Sequence, residues 1–284
     1  MLPNFLLIGA MKCGTSSLAS QLGTHPEILM SEPKELHFFS LDEKRERGLA
    51  WYESCFAKAR GEAAVGEAST TYTMHPMITG VPARIADTLP DARFLYIVRH
   101  PIRRIISNYT HDWLLGERNP MQVGDSNRDI EEVWESHPQF LPCSRYYYQI
   151  EQYLPHFPRE RFLILVFEEF IENPRAIHRQ IYEFLGVDPT FQRTSLAARY
   201  VTSERVREAS WVWAARRVPL LKPLVKVLLP ERFRRRVQRI GAEECPSVEV
   251  SKTWRRKVAD TLRQDVEGLS DFTHRDFSKI WNLV

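Results

Sequence analysis

Phe5-Leu6-Leu7-Ile8-Gly9-Ala10-Met11-Lys12-Cys13-Gly14-Thr15-Ser16-Ser17-Leu18 is the stretch that decides the fold. Its first four residues are an unbroken apolar run, as expected of a strand buried on both faces of a parallel sheet. Helical spacing begins at Ser16 and continues to Leu22, so the residues between form a strand-to-helix turn, the opening of an α/β unit. The rhythm then repeats. The run Arg93 to Val98 leads through Arg99-His100-Pro101 into a helical stretch from Ile102 to Leu115. The run Arg161 to Phe167 precedes a helix from about Pro174 to Leu185, closed by Gly186. Shorter strands are expected at Glu27 to Met30 and near Ala64 to Gly66, and a last helix at Leu262 to Trp281. Together these predict an α/β fold with a mainly parallel central sheet covered by helices on both faces. Ligands of such sheets sit at the carboxyl ends of the strands, here just after Ile8, Val98 and Phe167.

Bulk composition narrows the function classes. The 284 residues are 43% hydrophobic and 26% charged, which is ordinary for a globular chain and is read as a single domain over residues 1–284. A net charge of +3 argues against non-specific nucleic-acid binding, and no nucleic-acid module is recognisable. Cys13, Cys55, Cys143 and Cys245 form no CxxC pair, so they give neither a zinc signature nor a disulfide framework. Reduced thiols and a cytoplasmic location are the expectation. The apolar run at the N-terminus is too short for a signal peptide, and no stretch approaches the roughly 20 residues that span a bilayer. A soluble protein without a transmembrane segment is expected; the sequence leaves its oligomeric state open.

The turn after the first strand is built for an anion. Backbone N–H groups at a helix start, with the positive end of the helix dipole, attract phosphate. Lys12 adds a full charge and Gly14 permits close backbone approach. The hydroxyls of Thr15, Ser16 and Ser17 add donors. The nucleotide-triphosphatase pattern GxxxxGK(S/T) is absent, because the lysine precedes the glycine. A second candidate anion site follows the central strand. Arg99 at the strand end and Ser107 eight residues later can converge on one phosphate, a guanidinium supplying bidentate geometry and a hydroxyl one more donor.

Lys12-Cys13-Gly14-Thr15-Ser16-Ser17-Leu18 resembles the KxGTxxL 5′-phosphosulfate loop of sulfotransferases, closest to the heparan sulfate sulfotransferases and their bacterial relatives. The resemblance implies a P-loop-like nucleotide-binding architecture. It also implies 3′-phosphoadenylyl sulfate (PAPS) as donor, adenosine 3′,5′-bisphosphate (PAP) as product and no metal. In that family the loop embraces the 5′-phosphosulfate, and the lysine, here Lys12, stabilises charge on the bridging oxygen. Cys13, Gly14, Thr15, Ser16 and Ser17 complete the expected donor loop. Arg99 and Ser107 fall on the positions of the 3′-phosphate motif. Glu35-Leu36-His37-Phe38-Phe39 resembles the E-x-H-F-F stretch, whose glutamate is the catalytic base. Glu35 is therefore expected as base and His37 as a helper or acceptor-orienting group; the reverse assignment and Glu32 stay open. The acceptor is a hydroxyl on a carbohydrate, lipid or other small molecule. An ATP-dependent, P-loop-like kinase and a non-catalytic nucleotide-binding protein are the rival readings.

The likeness runs clearly from about residue 3 to 190 and has one departure. Polysaccharide-modifying members often carry EKxxxY; here Glu67-Ala68-Ser69-Thr70-Thr71-Tyr72 places alanine at the lysine position. Lys34 is the candidate to compensate. Tyr146 is expected near the donor, and a loop closing over the adenine is placed between Arg199 and Arg207. Residues 204–246 are expected as helical pieces, possible in three roles. Their arginines and Trp211 and Trp213 suit a lid over the acceptor, a peripheral contact with acidic membranes, or a solvated helix face.

Overall fold

The computed structural model describes residues 1–115, 129–192, 206–207, 243–244 and 247–283. Five parallel strands form its central sheet: β1 (Phe5–Gly9), β2 (Ile28–Met30), β3 (Ala64–Ala68), β4 (Arg93–Val98) and β5 (Phe162–Val166), in the order β2-β3-β1-β4-β5. Phe5 pairs with Gly66 on one side and Arg93 on the other, so β1 lies at the centre. Phe5, Leu6, Leu7 and Ile8 are fully buried, as are Phe94 to Val98. Continuous apolar runs arise because helices cover both faces.

Helices α1 (Thr15–Leu22), α2 (Asp42–Arg45), α3 (Gly48–Ser54) and α4 (Val81–Thr88) fill the connections up to β4. Helix α5 (Pro101–Leu115) follows β4, and α6 (Ile130–Val133) and α7 (Tyr146–Glu151) precede β5. Beyond β5 come α8 (Phe167–Glu172) and α9 (Pro174–Leu185). The start of α9 is set by Asn173, whose side chain accepts from Ala176 N at 3.2 Å, and by Pro174 in the first turn. Gly186, with φ at 76°, ends it.

Two expectations are corrected. The third long apolar run stops being a strand at Val166, and Phe167 opens α8, whose first-turn Glu168 and Glu169 suit the positive end of its dipole. The last helix is also two, α10 (Lys252–Thr273) and α11 (Phe277–Trp281). His274 takes a left-handed φ of 56°, and Asp276 caps the new helix by accepting from Lys279 N at 3.0 Å. Asp265 docks α10 onto α7, accepting the backbone N–H of Tyr147 at 3.2 Å and of Tyr148 at 2.8 Å. Burial raises that carboxyl to about 6.

The adenine-covering loop expected between Arg199 and Arg207, and the basic segment at 204–246, lie outside the described residues except for two short strands. Val206–Arg207 and Glu243–Glu244 pair antiparallel. None of the described helices is long and apolar enough to cross a membrane.

Candidate functional site

The carboxyl ends of β1, β2, β4 and β5 open into one cleft of about 1670 Å³. Its wall includes Lys12, Gly14, Thr15, Ser16 and Ser17 from the first turn, Glu35 from the segment after β2, and Arg99 and Ser107 from β4 and α5. Every residue expected to touch the donor or the reacting hydroxyl is thus on one surface, apart from Cys13 and His37.

Gly14 caps α1 in a left-handed conformation with φ at 89°, and Lys12 also has a positive φ of 69°. A Cβ on Gly14 would lie 2.7 Å from Cε2 of Phe167, so no larger residue fits between the loop and α8. The tight backbone brings the N-terminus of α1, with Thr15, Ser16 and Ser17, to the cleft wall, and the unpaired N–H groups of a helix start attract anions. Cys13 points the other way. It is fully buried, its Sγ is 3.7 Å from the Tyr146 hydroxyl, and burial pushes its thiol up to about 12. A protonated, buried thiol is a packing group rather than a nucleophile.

Tyr146 ties the turn after β1 to the end of β4. Its hydroxyl donates to Arg99 O at 2.7 Å and accepts from Arg99 N at 3.3 Å. Expected near the donor, it acts from behind the cleft wall. Arg99 reaches across to the loop: Nη1 donates to Lys12 O at 3.3 Å, and the guanidinium carbon lies 4.8 Å from the centre of the Phe167 ring. Its Nε is buried with no hydrogen-bond partner among the described residues.

Helix phase sorts the two arginines that follow. Arg103 is exposed and shares the cleft wall with Ser107, Thr110 and His111, one face of α5. Arg104 is fully buried, donating to Ser144 Oγ, Gln139 O and Phe140 O, each at 2.7 Å. Sequence reasoning did not single out Arg103; its four-residue spacing from both Arg99 and Ser107 was the available signal.

Glu35 is fixed by partners distant in sequence. Its N–H donates to Ala68 O at 3.0 Å and its Oε2 accepts from Thr70 N at 2.9 Å. Lys34 Nζ contacts the other oxygen, Oε1. His37 stands behind it, outside the cleft wall, with Nδ1 3.8 Å from Glu35 Oε2 and 2.8 Å from Thr71 Oγ1. Burial lowers the imidazole's basicity, which favours its neutral form. Glu32 sits at the rim, paired with Lys58 at 2.6 Å, both largely exposed. Thr70 is a partner that sequence reasoning missed, because only the parallel pairing of β2 and β3 brings residues 35 and 70 together.

The family described as "Sulfotransferase domain" matches residues 2–216. Mouse heparan sulfate glucosamine 3-O-sulfotransferase 3B1 is 29% identical over 193 residues, covering 66% of this chain and 46% of the relative. Human heparan sulfate glucosamine 3-O-sulfotransferase 6 is 28% identical over 191 residues, 65% of this chain and 52% of the relative. The chain therefore spans about half the length of these curated relatives. A crystal structure of a sulfotransferase from Alicyclobacillus acidocaldarius superposes with a TM-score of 0.67 at 28% identity, covering 99% of both chains.

Proposed function

The chain belongs to the sulfotransferase domain family, and we propose that it moves a sulfuryl group from PAPS to a hydroxyl of an acceptor, with Glu35 as general base. The observation that carries this reading is the single cleft in which the Lys12 loop, the Arg99/Ser107 pair and Glu35 all meet. Its volume of about 1670 Å³ exceeds the ~300–1,000 Å³ usual for one small ligand, leaving space for donor and acceptor together.

The 5′-phosphosulfate lies on the loop from Lys12 to Ser17, and the 3′-phosphate meets Arg99 and Ser107. The acceptor oxygen attacks sulfur as the bond from sulfur to the bridging oxygen breaks. The electron pair stays on the 5′-phosphate, where Lys12 and the N–H groups of α1 meet the growing charge. Glu35 takes the acceptor's proton. The products are a sulfate ester and PAP. The heparan sulfate relatives support a carbohydrate hydroxyl as the first acceptor class to try, with lipid and small-molecule alcohols after it.

The test is release of PAP from PAPS across a panel of N-sulfated heparosan, neutral oligosaccharides, phenols and long-chain alcohols. Glu35→Gln should lower turnover by about 10²- to 10⁴-fold while PAP affinity stays within roughly twofold. Near-normal turnover in Glu35→Gln removes Glu35 as base. A wild type that binds PAP and never turns over on any acceptor favours a non-catalytic protein.

A further inference from the structure

The wall beside Glu35 holds a cation that the donor loop and the 3′-phosphate pair leave without a role. We propose that Lys34 is a positioning residue for the transfer: its ammonium fixes the Glu35 carboxylate and offsets that carboxylate's repulsion of the anionic donor. This rests on the reading of Glu35 as base and extends it to a second residue.

Side chains of consecutive residues in extended chain point to opposite sides. At Glu35 a φ of +63° breaks that alternation, and Lys34 Nζ meets Glu35 Oε1. The two side chains are 26% and 29% exposed, and both line the cleft. Thr70 N holds Oε2 at 2.9 Å and the Thr70 hydroxyl lies 3.4 Å from both oxygens, so the lysine is the charged partner of Oε1 and with Thr70 fixes the plane of the carboxylate. Residue 68, whose carbonyl accepts from Glu35 N, brings only a methyl group to the wall. Lys58, the next lysine along that wall, is tied to Glu32 at 2.6 Å and is 78% exposed. Lys34 is therefore the cation placed to act on Glu35.

The electrostatics favour such a partner. A carboxylate brought up to a sulfuryl group on a phosphate meets an anion, and the repulsion is strong in a half-buried cleft. A cation touching the carboxylate offsets it without taking the lone pair that must receive the acceptor's proton. With Lys12 on the leaving side, one lysine then stands at each end of the transferred group.

The experiment compares wild type, Lys34→Ala, Lys34→Arg and Glu35→Gln. It measures PAP release from PAPS with water and with 4-nitrophenol as acceptors, PAP affinity by calorimetry, and thermal stability. Lys34→Ala should lower kcat roughly ten- to a hundredfold with PAP affinity within about threefold, and Lys34→Arg should recover most of the loss. Wild-type turnover in Lys34→Ala, with Glu35→Gln inactive, overturns this inference and leaves the base in place. A loss that arginine does not restore, accompanied by an equal fall in PAP affinity or stability, also overturns it, assigning Lys34 to donor binding or folding. A wild type that binds no PAP, or releases none from PAPS with water, 4-nitrophenol or any acceptor of the carbohydrate, phenol and long-chain alcohol panel, removes the base reading and this inference together.

Discussion

Glu67 is the residue whose burial is hardest to reconcile with its charge. It sits on β3 at 0% exposure, close to the hydroxyls of Tyr52, Tyr72 and Ser69. Neither of its carboxyl oxygens has a hydrogen bond of good geometry among the described residues. Burial raises the carboxyl from 4.5 to about 7, against the pull of the neighbouring hydroxyls. An acid whose folded value lies above its unfolded one stabilises the fold in its protonated form, and that contribution is lost as pH rises from about 4.5 through about 7. The full difference is at most about 3–4 kcal/mol, since each unit is worth ~1.4 kcal/mol. Glu67→Gln should therefore melt higher than wild type at about pH 8, with the gap closing towards about pH 5. Thermal melts across that range check it; parallel curves for the two proteins would show that Glu67 stays ionised with partners of its own.

Among the elements, the joint between β4, the donor loop and α7 decides whether the two anion sites hold their spacing. The Tyr146 hydroxyl makes two hydrogen bonds with the Arg99 backbone and approaches Cys13, so one buried side chain sets both strand ends. Tyr146→Phe removes the hydroxyl partner of a half-buried N–H and a half-buried carbonyl, at a cost of at most about 1–3 kcal/mol each before relaxation and solvent access. The variant should unfold at lower denaturant and bind PAP more weakly, although Tyr146 is absent from the cleft wall. Unchanged affinity would mean that Arg99 and Lys12 are held by other contacts. The elements themselves were readable in the sequence where a periodic run met a marked end, as at Gly14 and Gly186. The break at His274 was not, because a non-glycine residue gives no sign that it will turn left-handed. The switch at Phe167 was missed for a related reason: an apolar residue continues a buried strand as readily as it starts a helix.

Across the whole molecule, the order β2-β3-β1-β4-β5 gathers residues 12, 14–17, 35, 99 and 107 from separate parts of the chain. Their types and spacings were legible because each follows its own strand. What holds them was not legible: Thr70 on Glu35, Tyr146 on Arg99 and Phe167 over Gly14 are contacts made only when strands pair and helices pack. The sequence also left Cys13 and His37 among the ligand-facing residues, since a motif does not say which way a side chain points. Both stand behind the surface that their neighbours present.

On the proposed reading, the Lys12 loop and the Arg99/Ser107 pair bind a nucleotide with phosphates at both its 5′ and 3′ positions, which PAP has and ADP lacks. Calorimetric titration of PAP and of ADP, without added metal, into wild type and Arg99→Ala therefore tests the central claim most directly. PAP should bind wild type at least roughly tenfold more tightly than ADP, a difference of about 1.4 kcal/mol or more. Arg99→Ala should abolish most of that preference. ADP binding as tight as PAP, or a preference for PAP that survives the loss of Arg99, would contradict it.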